Sequence, residues 1–258
     1  AYEIVSRDWS SDVCSSDLLT RGLVLFDEAN EYRFVNLIAG MWLSLNSRAD
    51  SEFAHGREIV AQAQLDRGYD ALSKENKSLA PSYFYGSLLL TDDLESHSGY
   101  IRSMVTQRQR ETIDLRYASI EKENFIGDNR LFVKALLILL DSETELAANP
   151  AETGPFDRAL DLLDQMKDDR DSAIRHLLMG YCKLKKLERQ GKGYDLDRGL
   201  FEEAHRHFML TLDQARDNPR VTASALMDLG ILHARVQNHG LAVRFFKRRQ
   251  AFGFMDAN

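Results

Sequence analysis

From residue 156 onward the apolar side chains of this chain recur every three to four positions. Phe156, Ala159, Leu163 and Met166 form one series, and Ile174, Leu177, Leu178, Tyr181 and Leu184 a second. Phe201, Ala204, Phe208, Leu212 and Ala215 make a third, and Leu226, Leu229, His233 and Val236 a fourth. Leu241, Ala242, Phe245 and Phe246 close the set. At about 3.6 residues per turn, each series lies along one face of a helix and leaves the opposite face polar. No segment alternates with the period of two that a half-buried strand needs. The chain is therefore expected to be all-α.

The breaks between series carry helix-end chemistry. Asn218-Pro219 fits a capping asparagine followed by proline at the first helical position, where a missing N–H costs nothing. Gly154-Pro155 and Ala80-Pro81 read as helix starts in the same way. Asn238-His239-Gly240 is too short a turn for anything but antiparallel neighbours, and Gly191-Lys192-Gly193 marks a loop. Upstream, apolar clusters at 23–26, 35–45, 59–72, 83–90, 100–105, 115–125 and 131–140 are expected to be helical, with the polar stretch from Thr91 to Ser98 as a loop. No composition shift divides the chain, so residues 19–258 are expected to form one continuous helical domain.

Residues 1–18 stand apart. AYEIVSRDWSSDVCSSDL has neither period. Asp8–Leu18 back-translates in one frame to the end of a common short-read library adapter, and Ala1–Ile4 to the adapter segment that precedes the index. This opening resembles a translated sequencing contaminant rather than part of the fold, and is expected to be disordered, with the native N-terminus missing. It carries Glu3, Asp8, Asp12 and Asp17 against Arg7, so the formal charge of −7 becomes −4 for the remainder. Cys14 and Trp9 drop out with it, leaving Cys182 and Trp42.

The balance that remains excludes several classes. Mild acidity offers no clustered Lys and Arg for a nucleic-acid backbone. A single cysteine builds neither an internal disulfide nor a cysteine-rich zinc site. The longest apolar run, Ala135–Leu140, falls far short of the roughly 20 residues that span a bilayer. An export signal lost with the native N-terminus would escape notice, so the compartment stays open.

One group of residues adds a family resemblance. Leu226, Leu229, Gly230, His233, Ala242 and Phe246 stand at offsets 0, 3, 4, 7, 16 and 20, and this resembles a tetratricopeptide repeat. His233 stands where tyrosine is usual, and Arg249 where a small residue is. Met179-Gly180 with Ala204 and Phe208 resembles a second copy, stretched by twelve residues between glycine and alanine. Ala159 and Leu163 after Pro155 resemble a third, while Ala39-Gly40 and Tyr85-Gly86 are worn candidates upstream. The resemblance implies antiparallel helical hairpins stacked as a superhelix, an α-solenoid whose concave groove holds a partner protein or peptide. Carried onto this chain, the groove would draw on Ile174, Leu177, Tyr181 and Lys185, then Met227, Ile231 and Arg235. Gly180, Ala204, Phe208, Leu229, Gly230, Ala242 and Phe246 would be its structural residues.

Other chemistry is sparse. Glu52 with His55, and Glu202 with His205, place carboxylate and imidazole on one helix face, as in di-iron bundles. A helical-bundle enzyme or metal-binding protein is accordingly the rival expectation, though solvated surface explains the pairs more simply. His205-Arg206-His207 alternates, so its rings point apart. Cys182 reads as a small buried hydrophobe. Arg244, Lys247, Arg248 and Arg249 read as a solvated basic face, or as an edge for an acidic peptide. No phosphate loop or nucleophile triad occurs, and no cofactor is implied. Few residues follow Phe252, so the last hairpin is expected to expose an apolar edge; either the chain is truncated at this end too, or the edge self-associates or docks on a partner.

Removing residues 1–18 should leave the melting temperature unchanged within error. A loss of several degrees would mean that Trp9 or Leu18 packs natively.

Overall fold

The computed structural model describes residues 51–74, 76–106, 110–118, 125, 127–142, 149, 151–167, 172–189, 197–215 and 218–252. The expected clusters at 23–26 and 35–45, Gly40, the glycine loop at 191–193 and the chain's last six residues lie outside them. Every regular element among the described residues is a helix, with no strand among them. The chain divides into two compact units, residues 1–92 and 93–258.

In the first unit, α1 (Ser51–Ser73) turns through a short 3-10 segment, Lys77–Leu79, into α2 (Ala80–Leu90). Pro81 occupies the opening turn of α2, where its missing N–H is harmless. The two helices pack as an antiparallel hairpin. Phe84, fully buried, lies on the bare backbone of Gly68: a Cβ there would stand 2.8 Å from the ring. Ser87 faces inward and donates to the Ala61 carbonyl at 3.0 Å, so its burial leaves no unpaired hydroxyl.

The second unit runs α3 (Leu94–Thr106), α4 (Arg110–Tyr117), α5 (Asn129–Asp141) and α6 (Gly154–Gln165). Then follow α7 (Ser172–Arg189), α8 (Arg198–Gln214), α9 (Pro219–Arg235) and α10 (His239–Gln250). From α5 to α10 each helix packs on the next, and α7 also touches α9. One buried cluster gathers Leu94, Phe132, Phe156, Leu163 and Cys182; another gathers Leu184, Leu187, Phe208, Leu229 and Leu232. Helix α9, enclosed by α7, α8 and α10, buries residues around most of its circumference, many of them small.

The ring-on-glycine contact recurs in this unit. A Cβ on Gly180 of α7 would meet the Phe208 ring of α8 at 2.6 Å, and one on Gly230 of α9 the Phe246 ring of α10 at 2.3 Å. Glycine, alanine and phenylalanine thus occupy equivalent places in three hairpins, at offsets 0, 12 and 16 for Gly68, Ala80 and Phe84 and again for Gly230, Ala242 and Phe246. For Gly180, Ala204 and Phe208 the offsets are 0, 24 and 28. The upstream landmark is therefore Gly68. Gly86, nominated from sequence, lies on the second helix of its hairpin and faces Gln64.

Two other expectations need correcting. The polar stretch from Thr91 to Ser98 is not a loop throughout, because α3 begins at Leu94. Asp93 accepts from the Ser96 amide at 2.7 Å and from its hydroxyl at 2.6 Å, and His97 Nδ1 meets the Tyr117 hydroxyl at 2.8 Å. These internal bonds let polar side chains face inward. On α7 the buried line is Met179, Cys182, Leu184 and Leu187, with Tyr181 turned outward.

The helix ends follow the local chemistry. Asn218 caps α9 by accepting from the Val221 amide at 3.1 Å, and Asn238 caps α10 through the Leu241 amide at 3.3 Å. Gln237 takes the left-handed φ of 59° that ends α9, and the next amide bonds back to the His233 carbonyl at 2.9 Å. Asn218 also donates to Glu95 of α3 at 2.6 Å, and Arg220 pairs with the same carboxylate at 2.9 Å. This clamp ties α3 to the start of α9.

The glycines yield a comparative test. Gly180→Ala should destabilise by about 1–3 kcal/mol, because the fully buried Phe208 has nowhere to move. Gly56→Ala, with open space around the new Cβ, should stabilise by about 1 kcal/mol through helix propensity. Chemical denaturation of both variants checks the pair; equal signs would mean the ring contact is not what demands glycine.

Candidate functional site

Helices α7 and α9 are the first members of successive hairpins, and their touching faces carry a compact polar patch. Tyr181, Lys185 and Glu188 follow at i, i+4 and i+7, which aligns them along one side of α7. Asp228 and Arg235 are seven apart on α9 and share a side in the same way. Glu188 joins the helices: its carboxylate takes Lys185 Nζ at 2.7 Å and Arg235 at 3.0 Å. Lys185 Nζ also lies 5.4 Å from the centre of the Tyr181 ring, within cation–π range.

Asp228 is the member left over. It makes no hydrogen bond or ion pair with any described residue. Part of its surface stays accessible, yet burial pushes its carboxyl up to about 7; Lys185 opposes the shift and Glu188 adds to it. Burial likewise raises the Tyr181 hydroxyl, countered by Lys185 and reinforced by Cys182, Asp228 and Glu188.

Of the groove residues expected from sequence, Tyr181, Lys185 and Arg235 meet in this patch. Ile174 packs against the first core cluster, Leu177 and Ile231 against the second, and Met227 is partly buried. Glu188 and Asp228 were missed. Their position on the helix faces was visible in the spacing, but the absence of a partner for Asp228 depends on which helix lies opposite.

The Glu-x-x-His pairs do not assemble a common centre among the described residues. Glu202 is exposed and pairs with Arg198 at 2.8 Å, while His205 turns toward Phe201 and His233. The side chains of Glu52 and His55 lie outside the description. No three His, Cys, Asp or Glu side chains converge as metal ligands among the described residues. Cys182 is free and fully buried, with its thiol pushed up to about 12 by burial. Arg244, Lys247 and Arg248 are exposed on α10, beside exposed Val243 and Phe252. No described helix is long and apolar enough to cross a membrane.

Comparison with protein-family models, with curated proteins and with solved structures yields no match.

The isolated carboxyl has a pH signature. Its folded value lies above the ordinary 3.8, so ionising it opposes folding, and this loss of stability accrues as pH rises from 3.8 to about 7. Asp228→Asn should therefore raise the melting temperature most at pH 8, less at pH 5, and hardly at all near pH 3. A uniform shift across that range would mean that Asp228 titrates normally.

Proposed function

We propose that this chain is a protein-interaction module, a tetratricopeptide-like stack of helical hairpins that holds an extended segment of a partner protein along α7 and α9. The recurrent glycine, alanine and phenylalanine landmarks support the repeat reading. The packing of each helix on the next, with first helices α7 and α9 in contact, supports stacking into a superhelix. The observation that carries the binding reading is Asp228. A carboxyl kept near neutrality without a protein partner costs stability, and proteins retain such groups where a ligand completes them.

The chemistry of the patch selects its occupant. Glu188 is already neutralised by Lys185 and Arg235, so the acceptor still free is Asp228. A lysine or arginine of the bound segment would ion-pair there, with its aliphatic stem along the exposed Tyr181 ring. Binding would then shift Asp228 to its ionised form and release a proton.

Panning a random octapeptide phage library on the full chain tests this directly. Selected peptides should share a basic residue at a fixed position, and Asp228→Ala should abolish the selection while preserving the circular dichroism spectrum. Tyr181→Ala should weaken it. Peptides without a basic position, or selection unaffected by Asp228→Ala, would overturn the proposal.

A further inference from the structure

Four of the chain's seven histidines lie on three consecutive helices, and they meet in two pairs across helix boundaries. His176 of α7 and His207 of α8 bring their Nδ1 atoms to 3.2 Å, with ring centres 5.3 Å apart. His205 of α8 stands edge-on to His233 of α9, ring centres 5.4 Å apart. Residues two apart on a helix point to opposite sides, so α8 turns one imidazole toward each neighbouring first helix.

We infer that α8 is an acid-sensitive pin, held to α7 and α9 by histidine pairs that pack only while their rings are largely uncharged, and released by mild acid. The first pair shares one proton: an Nδ1–H of one ring donates to the bare Nδ1 of the other. A second proton there would set two N–H groups face to face with no acceptor. His207 is buried, and the charged groups around it are unfavourable to a further cation. His176 and Lys183 face it from α7, and Arg206 lies on its own helix; only Glu203 opposes them, and that carboxylate is bonded to Lys183 at 2.6 Å.

The second pair is drier. His233 is buried with neither ring nitrogen hydrogen-bonded to a described group. Its ring is stacked on Phe245 of α10 at 5.4 Å, with the edge of Phe201 of α8 at 5.5 Å. His205 is the one titratable group bearing on it, from α8, and no charged side chain of α7 or α10 does so among the described residues. Protonation would add a second orphaned N–H and a charge beside His205, whose imidazole pKa burial also lowers.

The direction follows from the rings themselves. Burial lowers His205, His207 and His233 from the ordinary 6.5, His207 to about 4. The unfolded chain therefore takes up protons first, and stability falls as pH drops from 6.5 toward 4. This pin does not depend on what the α7–α9 face binds.

The test follows histidine ring resonances of the full chain by NMR from pH 8 to 4, with amide exchange measured over the same range. His207 should titrate near 4, and His205 and His233 below 6.5. Exchange across Arg198–Gln214 should accelerate with them, while Gly154–Gln165 stays protected. Replacing both pairs' reporters, His207→Gln with His233→Phe, should remove the acid response of α8, whereas His239→Gln on the exposed turn should not. Titration of His207 and His233 at or above 6.5 would overturn the inference, as would an unchanged acid response in the double variant. If that variant does not fold, the wild-type titration and exchange decide alone.

Discussion

Two helices can lie as close as those of α7 and α8, or α9 and α10, only if something at their crossing has no side chain. Gly180 and Gly230 meet that requirement, and the rings of Phe208 and Phe246 occupy the space a Cβ would have taken. A glycine inside a helix costs about 1 kcal/mol relative to alanine. Burying a phenylalanine side chain offsets this with about 1.5–3 kcal/mol. The contact also fixes rotation about the helix axis. With Gly180 turned toward α8, the neighbouring Tyr181 is directed outward, and Lys185 and Glu188 follow it at helical spacing. The polar patch between α7 and α9 is thus a geometric consequence of where the two glycines sit.

Much of the helical architecture was legible because periodicity and caps are local. The series on α6, α8 and α9 are buried close to where their spacing places them, and Asn218 and Asn238 do cap their helices. On α7 Ile174, Leu177, Leu178 and Leu184 do lie against the core, but Tyr181 turns outward, and Met179, Cys182 and Leu187 are buried instead. Leucines at 177 and 178 and a tyrosine at 181 made a plausible face, and the deciding constraint was the glycine at 180. The stretch at 94–98 was misread because polarity was taken as exposure; Ser96 and His97 are buried but bonded internally. Gly68 escaped notice since Arg67, not leucine, precedes it, although its spacing to Ala80 and Phe84 repeats that of Gly230. The site was less legible. The histidine pairs join residues 31 and 28 apart in the chain, and Asp228 takes its character from burial beside Lys185 and Glu188 of α7.

The second unit holds ionisable groups that oppose each other across the pH scale. Asp228 is best tolerated when protonated, and His207 and His233 when not. Near neutrality the imidazoles meet their condition and the acid meets its own only in part. Asp228 and the His205–His233 pair lie between successive hairpins, whereas His176 and His207 meet inside the α7–α8 hairpin.

The clamp at Glu95 gives this array a kinetic character that its local packing would not suggest. Hairpins that touch only their neighbours can nucleate anywhere and zip outward, and they lose little when one end frays. Here Asn218, whose side chain caps α9, also donates to a carboxylate of α3, 123 residues earlier in the chain. Closing a loop of that length carries an entropic toll that local contacts do not. During synthesis α3 therefore emerges long before its partner exists, and the start of α9 completes its bonding only once the intervening helices have folded.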